Sequence, residues 1–262
     1  MRGLDLGLGL TRSIFGRPAA PALPTSAVLV QSGARFDVAP GILAVAGLLT
    51  DFFVSMWVRI DSQAEQYTSH LTAQGGEYLW LGTDYTAAGG DRNLAYYDSH
   101  GGGLGGHARG AYGATGVWRH LCWSVLPDTV KGWFDGVPCD WDSSTSPHYE
   151  AVIGGDGWPG TTGLRLLNES GSGQDFVGGV RAIALGRKNG AVHLTTEEVL
   201  AQMMRSKPFE QSGSSLLGFT TLGCWPLTTS ADLGNAISGG PALTLTGSLG
   251  ADTTGPSGIT QP

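Results

Sequence analysis

An all-β fold, two antiparallel sheets stacked as a sandwich, is what this sequence predicts, and three observations predict it. From Ser26 onward, short runs of aromatic and β-branched residues are split by clusters of Gly, Asp, Asn and Ser, the pattern of strands joined by tight turns. One run, Phe52 to Ile60, is so rich in such residues that it reads as a central strand, ended by Asp61-Ser62. Asp135-Gly136 directly follows the run Val130 to Phe134, and an Asp-Gly pair accepts the positive φ angles of a two-residue hairpin. At 262 residues the chain is within the range of one large β domain.

The elements follow in order. Strands are expected at 27–30, 52–60, 77–82, 94–98, 118–125, 130–134, 163–168 and 176–185, with closing strands in 216–227 and 241–249. Trp57, Trp118 and Phe134 should be largely buried. A single helix is expected after Thr195-Thr196-Glu197-Glu198, a capping box in which the Thr195 hydroxyl and the Glu198 carboxylate serve each other's backbone N–H. Val199, Leu200, Met203 and Met204 form its apolar stripe, and Lys207-Pro208 stops it. The domain is expected to span 26–249, with an extended arm and proline-rich linker at 1–25 and a polar tail at 250–262.

Composition narrows the partners. A net charge of −7 leaves no basic stripe for a nucleic acid. Twelve of the 15 basic residues are Arg, which suits protein interfaces but equally reflects a GC-rich coding sequence. No apolar run reaches the roughly 18 residues of a membrane span, and Asp5, Arg12 and Arg17 interrupt any leader-like segment. Cys122, Cys139 and Cys224 are odd in number and lack metal-ligand spacing, so they are expected to be free, mostly buried thiols.

Four segments, in order, resemble the concanavalin A-like lectin and laminin-G family of jelly rolls. They are Phe53-Val54-Ser55-Met56-Trp57-Val58, Gly116-Val117-Trp118-Arg119-His120-Leu121-Cys122-Trp123, Val130-Lys131-Gly132-Trp133-Phe134-Asp135-Gly136, and Phe176 to Leu185 followed by the Thr195 helix. The resemblance implies a jelly-roll sandwich over 26–249. It does not imply a function, because that fold carries lectins, adhesion modules, glycosidases and virion proteins alike.

Catalytic signals are missing from the residue pattern. Glycosidases of this fold carry a Glu-x-Asp-x-x-Glu triplet or a close variant that flanks the sugar bond; here only the adjacent Glu197 and Glu198 lie close in sequence. No Gly-x-Ser-x-Gly elbow is present. Gly101 to Gly106 matches a dinucleotide-loop spacing but leads to no helix, so it is expected to be a flexible loop. The expectation is a protein without enzymatic activity and without a cofactor. Calcium, which relatives of this fold often hold at one rim, has candidate ligands in Asp84, Asp91, Asp98 and Asp156, but solvated turn aspartates that cap their own backbone are the favoured reading and no metal ligand is assigned. Tyr85, Tyr96, Tyr97, Trp141 and Trp158 fall in or near loops and are candidates for stacking on a sugar ring, against the alternative of core packing. His120 is expected to be a packed core or interface residue. Asn168-Glu169-Ser170 is a glycosylation sequon.

The arm decides the functional expectation. Leu4, Leu6, Leu8 and Leu10 alternate with Asp5, Gly7 and Gly9, which places four leucines on one face of an extended strand. Exposed, they would need a partner groove or sheet edge. Prolines from Pro18 to Pro24 then act as a stiff spacer. Arm, lectin-like sandwich and low charge together are expected of a bacteriophage virion subunit, tail- or fibre-associated or a capsid decoration protein. Such a subunit is multi-copy or homo-oligomeric, sits on the virion surface, is bound to other virion proteins through the arm and displays its sandwich for adhesion to a host glycan. The alternative is an extracellular glycan-binding lectin module, and a polysaccharide hydrolase ranks third.

Overall fold

The computed structural model describes residues 27–38, 42, 48–61, 67–75, 79–85, 92–99, 104–107, 115–141, 149–154, 157–168, 176–203, 218–235, 240–252 and 255–256. The arm leucines, Asp91, Asp156, Met204 and the Lys207-Pro208 stop lie outside the described residues.

Two antiparallel sheets face each other as a jelly-roll sandwich. The first runs, edge to edge, through Val137–Pro138, Thr129–Phe134, Trp118–Val125, Phe52–Ile60, Gly178–Lys188, Ala27–Val30 and Leu249–Asp252. Ala151–Val152 shares the outer edge of Thr129–Phe134, and Phe219–Trp225 pairs with the later part of Gly178–Lys188. The second sheet runs through Thr244–Thr246, Arg35–Val38, Thr161–Leu166, Tyr67–Gly75, Leu79–Tyr85, Arg92–Asp98 and Leu104–His107. The Phe52–Ile60 strand is central, as its composition predicts, with Trp118–Val125 on one side and Gly178–Lys188 on the other.

Alternation along the strands fills the space between the sheets. Val54, Met56 and Val58 meet Leu121, Trp123 and Val180 from the first sheet, and Phe36, Leu71, Leu81 and Leu94 from the second. Each such side chain taken out of water stabilises the fold by roughly 1.5–3 kcal/mol. On the outer face of the first sheet, Phe53, Cys122, Trp133, Ala184 and Phe219 form a smaller apolar cluster, covered by Leu194 and Val199. Helix α1, Thr196–Met203, therefore lies against that face. Its capping box is made as expected: Thr195 N–H donates to Glu198 Oε2 at 2.7 Å, and Glu198 N–H to Thr195 Oγ1 at 3.3 Å. Trp57 is buried, its Nε1–H donating to the Met203 carbonyl at 2.6 Å, whereas Trp118 and Phe134 are only half-buried.

The hairpin at Asp135-Gly136 has positive φ at both residues, 47° and 78°. A Cβ at Gly136 would also lie 2.2 Å from Leu200 Cδ2, so the glycine serves both the turn and the helix above it. Leu200 was expected in the buried stripe. It stays half-exposed over this turn, and Gln202 is buried with Val199 instead.

Three further expectations need correction. Leu104–His107 is an edge strand paired to Ala95–Asp98, not part of a flexible glycine loop. Arg35–Val38 and Tyr67–Gly75 are strands that the residue pattern did not announce. The last strand extends to Asp252, because 249–252 pairs with 27–30. Asn168, the acceptor of the sequon, is buried, its Oδ1 accepting the Phe176 N–H and its Nδ2 donating to the Ala34 and Phe176 carbonyls. Secretion through a eukaryotic host should leave Asn168 unmodified, and an intact-mass increase that disappears on Asn168→Gln would contradict this.

Candidate functional site

Strand alternation puts Val130 and Gly132 inside the sandwich, and Lys131 and Trp133 outside. Pairing of Thr129 with Val152 and of Val130 with Ala151 brings Tyr149 and Glu150, just ahead of that edge strand, alongside Lys131. A turn at Gly190 and Ala191, both at positive φ, then sends residues 192–195 back across the same face. Ser124 anchors that segment, its Oγ accepting the Leu194 N–H at 3.1 Å and lying 3.1 Å from His193 Nδ1. His193 Nε2 lies 2.9 Å from Thr129 Oγ1. Trp133 Nε1–H donates to Thr196 Oγ1 at 3.1 Å.

The result is an open groove of about 590 Å³. Trp133, Leu126 and Leu194 line its base, and Tyr149, Val192, Pro138, Lys131, Thr195 and Thr196 its sides. Tyr149 is 47% exposed and Val192 48%, so both offer apolar surface to a ligand. Lys131 Nζ lies 3.1 Å from Glu150 Oε2. Burial pushes the Glu150 carboxyl up, but the hydrogen bond and charge of Lys131 outweigh it, and the carboxyl titrates below its ordinary range. Burial pushes His193 down to about 4, so near neutral pH the ring is uncharged and held between two hydroxyls.

Among the candidate aromatics whose side chains are described, Tyr96, Tyr97, Trp141 and Trp158 do not line this groove. Trp158 is fully buried between the sheets, its Nε1–H donating to Asp98 Oδ1 at 2.8 Å. Tyr96 is buried and donates to the Val152 carbonyl at 3.0 Å, with Trp141 edge-on at 5.5 Å. Trp141 also packs on Trp123 at 5.9 Å. Tyr96 and Trp158 are core residues, and Trp141 is a partly buried residue packed against that core. Tyr85 closes the strand Leu79–Tyr85. Tyr97 alone among the described candidates is open, 44% exposed on the outer face of the second sheet. Its cross-strand neighbour Trp80 lies flat over Gly82, donates to Ser69 Oγ at 2.6 Å and is buried.

Of the calcium candidates, Asp84 and Asp98 are among the described residues. Asp98 accepts from Trp158 and from the Gly154 N–H at 2.7 Å, and Asp84 is buried within a strand. Among the described residues no three His, Cys, Asp or Glu side chains converge as metal ligands. Cys122, Cys139 and Cys224 are free and buried. Burial raises the Cys122 thiol well above its ordinary range and pushes Cys139 up to about 12. His120 is a core residue, as expected, with Nε2 2.8 Å from Ser55 Oγ. Among the described residues no helix is long and apolar enough to cross a membrane.

No protein-family model and no curated protein matches the sequence. Among solved structures, the chain is similar to a heptameric SAP-like pentraxin from Limulus polyphemus at 12% identity, over 75% of this chain and 91% of that one, TM-score 0.47. It is similar to the CBM40 module of the Ruminococcus gnavus IT-sialidase at 12% identity, over 66% and 94%, TM-score 0.46. It is also similar to domain 4 of AbnA, an extracellular GH43 arabinanase from Geobacillus stearothermophilus solved with arabinotriose, at 20% identity, over 59% and 68%, TM-score 0.41.

Proposed function

We propose that the chain is a non-catalytic glycan-binding sandwich and that a sugar sits in the groove beside Tyr149. The observation that carries this reading is the groove's make-up: an exposed tyrosine ring, an ammonium and threonine hydroxyls line about 590 Å³ of open space, and the Glu150 carboxylate lies 3.1 Å from that ammonium. Sugars are held by that combination of apolar face and convergent polar groups. Binding without turnover is supported by the same geometry. A glycosidase needs a carboxyl held protonated by a raised pKa, whereas Glu150 is lowered beside Lys131. Calorimetric titration against a panel of oligosaccharides should find a ligand whose affinity falls about tenfold, about 1.4 kcal/mol, on Tyr149→Ala. Loss of binding on Tyr97→Ala, with Tyr149→Ala silent, would move the site to the outer face of the second sheet.

The Leu4/6/8/10 alternation favours a second, compatible reading in which the arm fixes this sandwich to a phage particle, in tail or capsid, rather than leaving it free outside the cell. Deleting residues 1–17 should then leave the melting temperature unchanged and abolish incorporation into particles. Incorporation at normal copy number would place the anchoring surface on the sandwich.

A further inference from the structure

We infer that the groove selects uncharged sugars and discriminates against uronates, sialates and sulfated glycans, an inference that rests on the groove being the sugar site. Lys131 is the cation among the described lining residues, and its ammonium faces the Glu150 carboxylate at 3.1 Å. The pair sums to zero. A sugar carboxylate reaching Lys131 would lie beside Glu150, and like charges brought together there repel.

The first turn of α1 opens onto the same groove through Thr195 and Thr196, and a helix N-terminus ordinarily draws anions. Here the chain's own groups fill it. Glu198 Oε2 accepts the Thr195 N–H at 2.7 Å and also binds Lys188 Nζ at 2.8 Å, while Thr195 Oγ1 takes the Glu198 N–H. Glu197 adds a further exposed negative charge to that turn.

His193 supplies no positive charge near neutral pH, since burial pushes it down to about 4 against the opposing pull of Glu150; its Nδ1 faces the Ser124 hydroxyl, and its Nε2 faces the Thr129 hydroxyl with Glu150 Oε1 at 3.7 Å. A ligand therefore meets the Tyr149 ring, the Val192 and Pro138 surfaces, and hydrogen-bonding groups without net positive charge. That set matches the faces and hydroxyls of a neutral pyranose or furanose. Among the described residues it offers an acid sugar no unshared cation.

The test pairs neutral with acidic polymers on matched backbones, for example galactan with polygalacturonate and a chitin oligomer with a sulfated counterpart, titrated against the full chain. The native protein should bind a neutral member at least about tenfold more tightly than its acidic partner. Glu150→Gln removes the negative charge beside Lys131, so the neutral-to-acidic affinity ratio should fall by about tenfold, with the melting temperature of the variant confirming that it is folded. Tighter binding of the acidic member by the native protein, weakened by salt and by Tyr149→Ala, would overturn this selectivity while leaving the groove as the sugar site. Failure of every glycan to bind would overturn both.

Discussion

Trp158→Ala should be the most damaging substitution in the sandwich. A fully buried tryptophan cut to alanine costs about 3–5 kcal/mol through lost burial and the cavity left behind. The indole also fills the angle beside Phe52, whose ring it meets edge-on at 6.5 Å, and it donates to Asp98, which also accepts the Gly154 N–H inside the protein. Without Nε1–H a buried carboxylate loses part of its solvation, and the total becomes comparable with the stability of a whole domain, about 5–15 kcal/mol. The variant should be largely unfolded at 37 °C. Trp158→Phe isolates the second contribution, because it keeps most of the volume but not the donor, and should cost about 1–3 kcal/mol. Urea titration reads both. A Trp158→Ala penalty below about 1.5 kcal/mol would show that this packing is not what joins the sheets.

Acid should weaken the fold well before the carboxylates are neutralised. Burial holds His120 down to about 3, against an ordinary value of 6.5. The folded state keeps the ring neutral, while the unfolded chain takes up a proton near pH 6.5. The stabilisation is therefore complete above pH 6.5 and is lost as pH falls toward 3. At about 1.4 kcal/mol per unit of difference, the full excursion is on the order of 4–5 kcal/mol. His193, down to about 4, acts in the same direction, softened by the nearby Glu150 charge. The melting temperature should fall between pH 6.5 and 5, and His120→Gln should flatten that slope. A level profile over this interval in the native protein would contradict the burial of these rings.

Elements with strong local signals were legible from residues alone. The Phe52–Ile60 strand, the Asp135-Gly136 turn and the Thr195–Glu198 cap each depend on neighbours a few residues apart. Tyr67–Gly75 was hidden because its pairing shifts register between Ser69 and Leu71, which breaks the period of two at mid-strand. Leu104–His107 was hidden because glycines carry no pattern, and its strand state comes from pairing with Ala95–Asp98. Tyr96, Trp141 and Trp158 show the limit from the other side. Their place near turns was legible, but the inward direction of each side chain depends on a sheet assembled from distant segments. The groove has the same origin. Lys131 could be placed outside by alternation, but its meeting with Tyr149 and Glu150 depends on the pairing of 129–130 with 151–152, which no local signal encodes.

Asn235 has a consequence for crowded settings. Its Oδ1 accepts the Cys224 N–H at 3.0 Å, and its Nδ2 donates to the Leu222 carbonyl at 3.1 Å. One carboxamide thus occupies a donor and an acceptor that the strand Phe219–Trp225 would otherwise offer to an incoming strand. Open strand margins of this kind recruit other chains into growing fibrils. With these two groups already engaged, this margin offers an incoming strand less backbone to pair with.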